Sequence, residues 1–212
     1  MNRIAVFGAG GFGREVLMLI NQINRVEKKW DFIGFFDDGH EKGTLVNGYE
    51  VLGGIEDLKM VKDSISLVLG VGSPKVKKDV LVQLNQNTML SYPTLIHPNV
   101  EIGENYKMGN GCIITAGCIL TENFELGDFV TLNLCCTVGH DAVIKNYCSF
   151  MPNVNISGET FFSEGVYVGT SATIINQKKI GEWVTVGAGA VIIRDVPNKV
   201  TVVGNPGRVL NI

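Results

Sequence analysis

A chain of 212 residues with 45% hydrophobic residues can bury a sizeable core, as one large domain or two small ones, which excludes global disorder. A formal net charge of −3 and a pI near 5.6 leave no basic field for nucleic acid or anionic lipid. The five cysteines form no CxxC pair, no apolar run approaches the ~18 residues a membrane span needs, and the first residues read as a strand rather than a signal peptide. A cytoplasmic protein with no membrane insertion, no disulfide framework and no zinc knuckle is expected.

The first ninety or so residues alternate strand and helix patterns. Ile4–Phe7 is an apolar, β-branched run ending in Gly8-Ala9-Gly10-Gly11-Phe12-Gly13. Val16, Leu17, Leu19, Ile20 and Ile23 then recur at helical spacing. Phe32–Phe36 is a second strand that stops at Asp37-Asp38-Gly39, and Ser66–Val71 a third that ends at Gly72-Ser73-Pro74. Pro74 suits the first turn of a helix through Val76, Val80, Leu81 and Leu84. The order βαβαβ predicts a Rossmann-like parallel sheet with right-handed crossovers over residues 1–91.

From Tyr92-Pro93 the periodicity changes. Every sixth residue from Ile96 to Ile192 is apolar, seventeen positions in succession, which chance would produce on the order of once in a million. Two residues before each stands a small or β-branched residue at many positions, among them Cys112, Cys118, Cys136, Ala142, Cys148 and Ala190, and glycine often follows. A six-residue unit holds one short strand and one corner, and three units close a coil of eighteen residues. Side chains at i and i−2 point inward because strand residues alternate faces, and such coils bury their interiors only by stacking. Residues 92–212 are therefore expected to form an all-β parallel β-helix with a C-terminal tail. This repeat resembles the hexapeptide-repeat family, whose coil is left-handed. Cys112, Cys118, Cys136 and Cys148 fall on the small inward column and read as packing. Cys135 lies outside it, as a solvent-facing or subunit-contact residue and a weak nucleophile candidate.

Of the three histidines, His40 follows the Asp37-Asp38-Gly39 turn as a solvated loop residue, and His97 stands before Pro98 with structural and substrate-contacting readings equally open. His140, in Val138-Gly139-His140-Asp141, falls on an outward corner beside a carboxylate. Imidazole suits removal of a proton near neutral pH, and a carboxylate on its far nitrogen fixes the tautomer. The spacing Gly8-x-Gly10-x-x-Gly13, with Asp37 downstream, also fits a dinucleotide fingerprint. However, this domain holds only half of a full dinucleotide fold.

Gly8–Glu15, Phe35-Phe36-Asp37-Asp38, Val51-Leu52-Gly53-Gly54, Gly70-Val71-Gly72-Ser73, Gly139-His140-Asp141 and the terminal Val203–Val209 occur together in this order. The whole chain is similar to the sugar O-/N-acyltransferases, which include UDP-4-amino-sugar N-acetyltransferases and sialic acid O-acetyltransferases. The resemblance implies an acetyl-CoA-dependent enzyme acting on a UDP-4-amino-4,6-dideoxy sugar, assembled as a homotrimer. His140 is then the general base with Asp141 assisting, and no metal takes part. Gly10, Gly11, Phe12, Asp37, Asp38, Gly72, Ser73 and Asn133 are expected on the nucleotide sugar. Gly158, Gly187, Ala188, Gly204, Asn205 and Pro206 are expected on acetyl-CoA, with Gly158 one coil after His140 as an oxyanion donor or merely a corner glycine. Ser149 stands where bacillosamine-type members carry a second histidine, which leaves the exact sugar open. O-acetylation of a sugar hydroxyl, and a non-catalytic trimeric scaffold that binds a sugar nucleotide, are the alternatives.

Overall fold

The computed structural model describes residues 1–210, which divide into two compact units, one of Met1–Pro98 and one from Asn99 onward. In the first unit, β1 (Asn2–Phe7) leads into α1 (Gly11–Val26) and β2 (Trp30–Phe36). A hairpin of β3 (Leu45–Val46) and β4 (Tyr49–Glu50) and a short α2 (Ile55–Lys59) precede β5 (Ile65–Leu69), α3 (Pro74–Leu84) and β6 (Leu90–Ser91). β1 lies between β2 and β5, and β6 flanks β5, with all pairs parallel. The apolar face of α1, carried by Val16, Leu17, Leu19 and Ile20, is buried, as the helical spacing requires.

The expected elements of this unit are present, with ends displaced by a few residues. The hairpin and α2 lie in a stretch for which the sequence reading named no element. The hairpin turns on Asn47-Gly48 with φ of 49° and 82°, a pair suited to a tight left-handed turn.

The second unit is the expected left-handed parallel β-helix. Its two-residue strands pair eighteen residues apart, as Thr131↔Ser149, Thr137↔Asn155 and Val143↔Phe161 do in three different sheets. Near the end the repeat shortens to sixteen, with Thr185↔Thr201 and Ile180↔Val196. From Ile114 to Ile192 every sixth residue is buried. The companion column is filled by Cys112, Cys118, Phe124, Val130, Cys136, Ala142, Cys148, Val154, Thr160, Val166, Ala172, Val184 and Ala190, all within 1% of full burial. Thr160 is tolerated there because its hydroxyl donates to the Ser157 carbonyl at 3.1 Å. Cys112, Cys118, Cys136 and Cys148 are fully buried in this column and act as small apolar fillers, and the Cys118 sulfur, together with burial, pushes the Cys136 thiol upward.

The coil turns its corners through the left-handed region. Asn123, Phe129, Cys135, Asp141, Tyr147, Asn153, Glu159, Ser171, Gln177 and Trp183 all have φ between 56° and 65°. Four glycines, Gly111, Gly117, Gly165 and Gly189, occupy the same position in the other corners between residues 111 and 189. A non-glycine residue in this region costs of order 1–3 kcal/mol, and the stacked coils on either side hold it there. Among the described residues no helix is long and apolar enough to cross a membrane.

Candidate active site

In the first unit, the glycine-rich loop joins β1 to the N-terminus of α1. Gly8 and Gly13 are required by crowding: a Cβ on Gly13 would lie 1.8 Å from the Gly8 carbonyl oxygen, and one on Gly8 would lie 2.8 Å from the Gly70 carbonyl oxygen. Gly10 and Gly11 face open space, with nothing within 4 Å of a Cβ at either. The loop is thus closely packed behind and open in front of the helix, where backbone N–H groups and the helix dipole favour an anion. Ser73 caps α3 by accepting the Val76 N–H at 3.4 Å, and Gly72 beside it is half-buried.

The two aspartates have defined partners. Asp37 Oδ2 accepts the Ala9 N–H at 2.7 Å, while its Oδ1 accepts the Gly39 N–H at 2.8 Å and lies 2.8 Å from His40 Nδ1. Burial opposes ionisation of Asp37, but the Ala9 N–H, His40 and the Gly39 N–H outweigh it and hold the carboxyl below its usual range. Asp38 Oδ1 accepts the Ile55 N–H at 2.7 Å and so anchors the start of α2. His40, read from sequence as a solvated loop residue, is a partner of Asp37.

In the second unit, His140 stands on the corner between strands Thr137–Val138 and Val143–Ile144. Its Nδ1 lies 2.8 Å from Asp141 Oδ2. The φ of 57° at Asp141 accompanies this contact between sequence neighbours. With the carboxylate accepting from Nδ1–H, the lone pair rests on Nε2. Gly158, one coil on, is buried, and a Cβ there would come within 2.6 Å of Nε2 and 2.7 Å of Cε1, so the imidazole lies over the glycine.

Other corners use the same position differently. The Asn110 N–H donates to the side chain of Asp128, one coil on, at 2.8 Å, and the Asp128 N–H to that of Asn146 at 2.9 Å. Gly158 has no side chain to cap the His140 N–H, and the imidazole ring occupies that space instead. The pair is exposed, at 60% for His140 and 50% for Asp141. Even as an ion pair, an exposed contact of this kind would contribute only about 0–1 kcal/mol, so its consequence is orientation rather than stability.

His140, Asp141 and Gly158 therefore converge, whereas the remaining expected residues lie elsewhere. Asn133 is buried, and its Oδ1 accepts the Leu134 N–H at 2.7 Å and the Thr115 hydroxyl at 3.4 Å. Gly187 and Ala188 follow strand Thr185–Val186 on a different edge of the prism from His140. The Gly204-Asn205-Pro206 segment joins them there, since the Gly204 carbonyl accepts the Val191 N–H at 3.1 Å. Ser149 is fully buried, and Cys135 is exposed at its corner. Among the described residues no group of three or more His, Cys, Asp or Glu side chains converges as a metal site.

The comparisons with known proteins bear on the family and the fold. Residues 3–84 match the PglD N-terminal domain. The chain is 30% identical over 214 residues to GDP-perosamine N-acetyltransferase of Escherichia coli O157:H7, covering 98% of this chain and 96% of that protein. The chain belongs to the sugar acyltransferase family. Two solved structures superpose over nearly the full length. WeeI from Acinetobacter baumannii AYE does so with a TM-score of 0.90 at 32% identity, covering 99% of this chain and 100% of that one. The acetyltransferase domain of PglB from Neisseria gonorrhoeae FA1090, in complex with acetyl coenzyme A, does so with a TM-score of 0.88 at 29% identity and the same coverage. The order of α/β unit followed by β-helix in this sugar acyltransferase is thus shared with both of these structures.

Proposed function

We propose that this chain is an acetyl-CoA-dependent N-acetyltransferase acting on an amino sugar carried by a nucleoside diphosphate, with His140 as general base. The observation that carries the mechanism is the His140 Nδ1–Asp141 contact at 2.8 Å, with the imidazole lying over Gly158. The near-full-length relationship to an N-acetyltransferase of a GDP-linked sugar supports the substrate class, and the PglB relative solved with acetyl coenzyme A supports the donor.

The chemistry follows from these parts. The sugar amine attacks the thioester carbonyl as the free base, because an ammonium has no lone pair. As the C–N bond forms, the nitrogen becomes cationic and transfers a proton to His140 Nε2. Asp141 stabilises the resulting imidazolium. The C–S bond of the tetrahedral intermediate breaks, and CoA leaves as a thiolate that takes up a proton. The Gly158 N–H is the proposed donor to the oxyanion. In the first unit, the open side of Gly10 and Gly11, with Phe12, Gly72 and Ser73, would receive the diphosphate and nucleoside, and Asp37 and Asp38 shape the loops around them. On this reading Asn133 lines the substrate side of the coil, and Gly187, Ala188, Gly204, Asn205 and Pro206 line the donor cleft. A homotrimer in the cytoplasm completes the proposal.

His140→Ala should lower kcat by ~10²–10⁴-fold, the usual worth of a positioned base, with little change in either KM. Thiol release from acetyl-CoA is the assay, with GDP- and UDP-linked amino sugars both supplied because the sequence resemblance points to UDP and the full-length relative to GDP. Retention of near-wild-type turnover by His140→Ala would overturn the mechanism. Absence of turnover with every sugar nucleotide would overturn the activity.

A further inference from the structure

We infer that His40 is a positioning residue for the nucleotide-binding loop and acts on it through Asp37; the inference rests on the proposed reading of the first unit as the nucleotide-sugar domain. The Asp37 carboxylate bridges two segments. Its Oδ2 holds the Ala9 N–H at 2.7 Å, inside the glycine-rich loop, while its Oδ1 is held by the Gly39 N–H and by His40 Nδ1, each at 2.8 Å.

Without His40 the carboxylate would keep a single N–H donor at each oxygen, Ala9 at Oδ2 and Gly39 at Oδ1. Two donors converging on Oδ1 set the plane of the group and so direct Oδ2 at Ala9. Among the described residues His40 is the one side chain that bonds Asp37. Lys42, two residues on, is engaged with Asp57 at 2.8 Å, and Asp38 is turned to the Ile55 N–H.

The position of Ala9 matters because the loop has little else to hold its front. Gly8 has φ of 103°, and Gly10, the N-cap of α1, makes no side-chain cap. Gly10 and Gly11 meet nothing within 4 Å on their open side. The Gly8 N–H is held by the Phe36 carbonyl at 2.7 Å, and the Ala9 N–H is the last loop donor fixed before the helix begins. Fixing it sets where the Gly10 and Gly11 N–H groups point, and these are the groups offered to a diphosphate. The low-lying ionisation of Asp37 agrees with a carboxylate that stays charged for this task.

The test uses the full-length enzyme. Isothermal titration with GDP and with UDP gives Kd, and steady-state kinetics give kcat and both KM values. His40→Ala should raise the nucleotide Kd, and the KM for sugar nucleotide with it, by about 3- to 10-fold, as expected for loss of one partly exposed, charge-assisted hydrogen bond. The KM for acetyl-CoA and the kcat at saturation should not move. His40→Asn should restore affinity, because its amide N–H can donate to Asp37 from near the Nδ1 position. Wild-type affinity in His40→Ala, or an Asn variant as weak as Ala, would overturn the inference. Failure of the wild-type enzyme to bind either nucleotide would instead remove the reading of the first unit on which it rests.

Discussion

The chemistry of the β-helix corner depends on what is missing at residue 158 as much as on what is present at 140. The imidazole lies where a side chain from the next coil caps the backbone at other corners, and it can lie there because Gly158 offers none. Gly158→Ala places a Cβ 2.6 Å from Nε2, and the backbone of residue 158 admits alanine because its φ lies outside the left-handed region. The exposed ring can give way, but only by swinging off Asp141. A displacement of about 1 Å at a reacting group can cost on the order of 10²-fold in rate, whereas an exposed ring that moves aside changes stability by no more than about 0.5 kcal/mol. We expect kcat to fall by about 10²-fold with an unchanged melting temperature, measured side by side; an unaffected kcat would show that the ring need not sit over this glycine. His140 was legible in the sequence as an outward corner histidine beside a carboxylate. Its contact with Asp141 was not, because it depends on a backbone dihedral that an isolated aspartate does not announce. His40 is the exposed loop residue expected, and its contact with Asp37 was hidden for a related reason: that partner is defined by the fold of the loop, not by a motif.

Within the coil, stability resides in columns that each strand shares with the strands above and below. Phe150 is fully buried and packs edge-on to Phe162 with ring centroids 5.0 Å apart. Removal of such a ring leaves a cavity that cannot collapse, because the backbone on each side is pinned to its neighbours, and Phe→Ala in a core costs about 3–5 kcal/mol. Phe150→Ala should lower the denaturation midpoint accordingly in chemical unfolding followed by circular dichroism. A loss below about 1 kcal/mol would mean that the coil relaxes around the gap. The apolar column was readable because an apolar residue recurs every six positions without interruption. The left-handed corners were not, since Phe129, Tyr147, Glu159, Gln177 and Trp183 are residues with no intrinsic preference for positive φ. There the stacked coils override local propensity, and single-sequence reasoning has no handle on the override. The hairpin at Asn47-Gly48 carried a clear turn signal, but its two-residue strands are too short for any alternation to show.

At the scale of the whole molecule, the change of periodicity announced two architectures, with the division expected after residue 91 and the compact units meeting in sequence at Pro98 and Asn99. What the sequence left obscure is how a prism with exposed sides completes its site. The sheet that contains Thr137–Val138 presents Ile119, Thr121, Asn155, Ser157, Thr173, Ile175, Val191 and Ile193 on its outer face, with Ile119 43% and Ile193 38% exposed. No charged residue interrupts this stretch from Ile119 to Ile193. The sheet through Glu125–Leu126 and Val143–Ile144 instead carries Lys107, Glu125, Lys145 and Lys179. An uncharged face with exposed isoleucines at both ends is a candidate association surface. It is also flanked by the two halves of the proposed site, for His140 and Gly158 lie along one of its edges and Ala188 with the Gly204-Asn205-Pro206 segment along the other. One chain keeps these edges apart, so a second copy packed against this face is the simplest way to join the base of one protomer to the donor cleft of its neighbour. We therefore expect a homotrimer, with a light-scattering mass three times the chain's 23.0 kDa. Introducing charge by Ile119→Glu together with Ile175→Glu would force carboxylates into the interface, at a desolvation cost of several kcal/mol per ion. The doubly substituted chain should fold, scatter as a smaller species and lose turnover together with assembly. A wild-type monomer with full activity at micromolar concentration would overturn the trimer, and a dissociated double variant that still turned over would show that each chain holds a complete site.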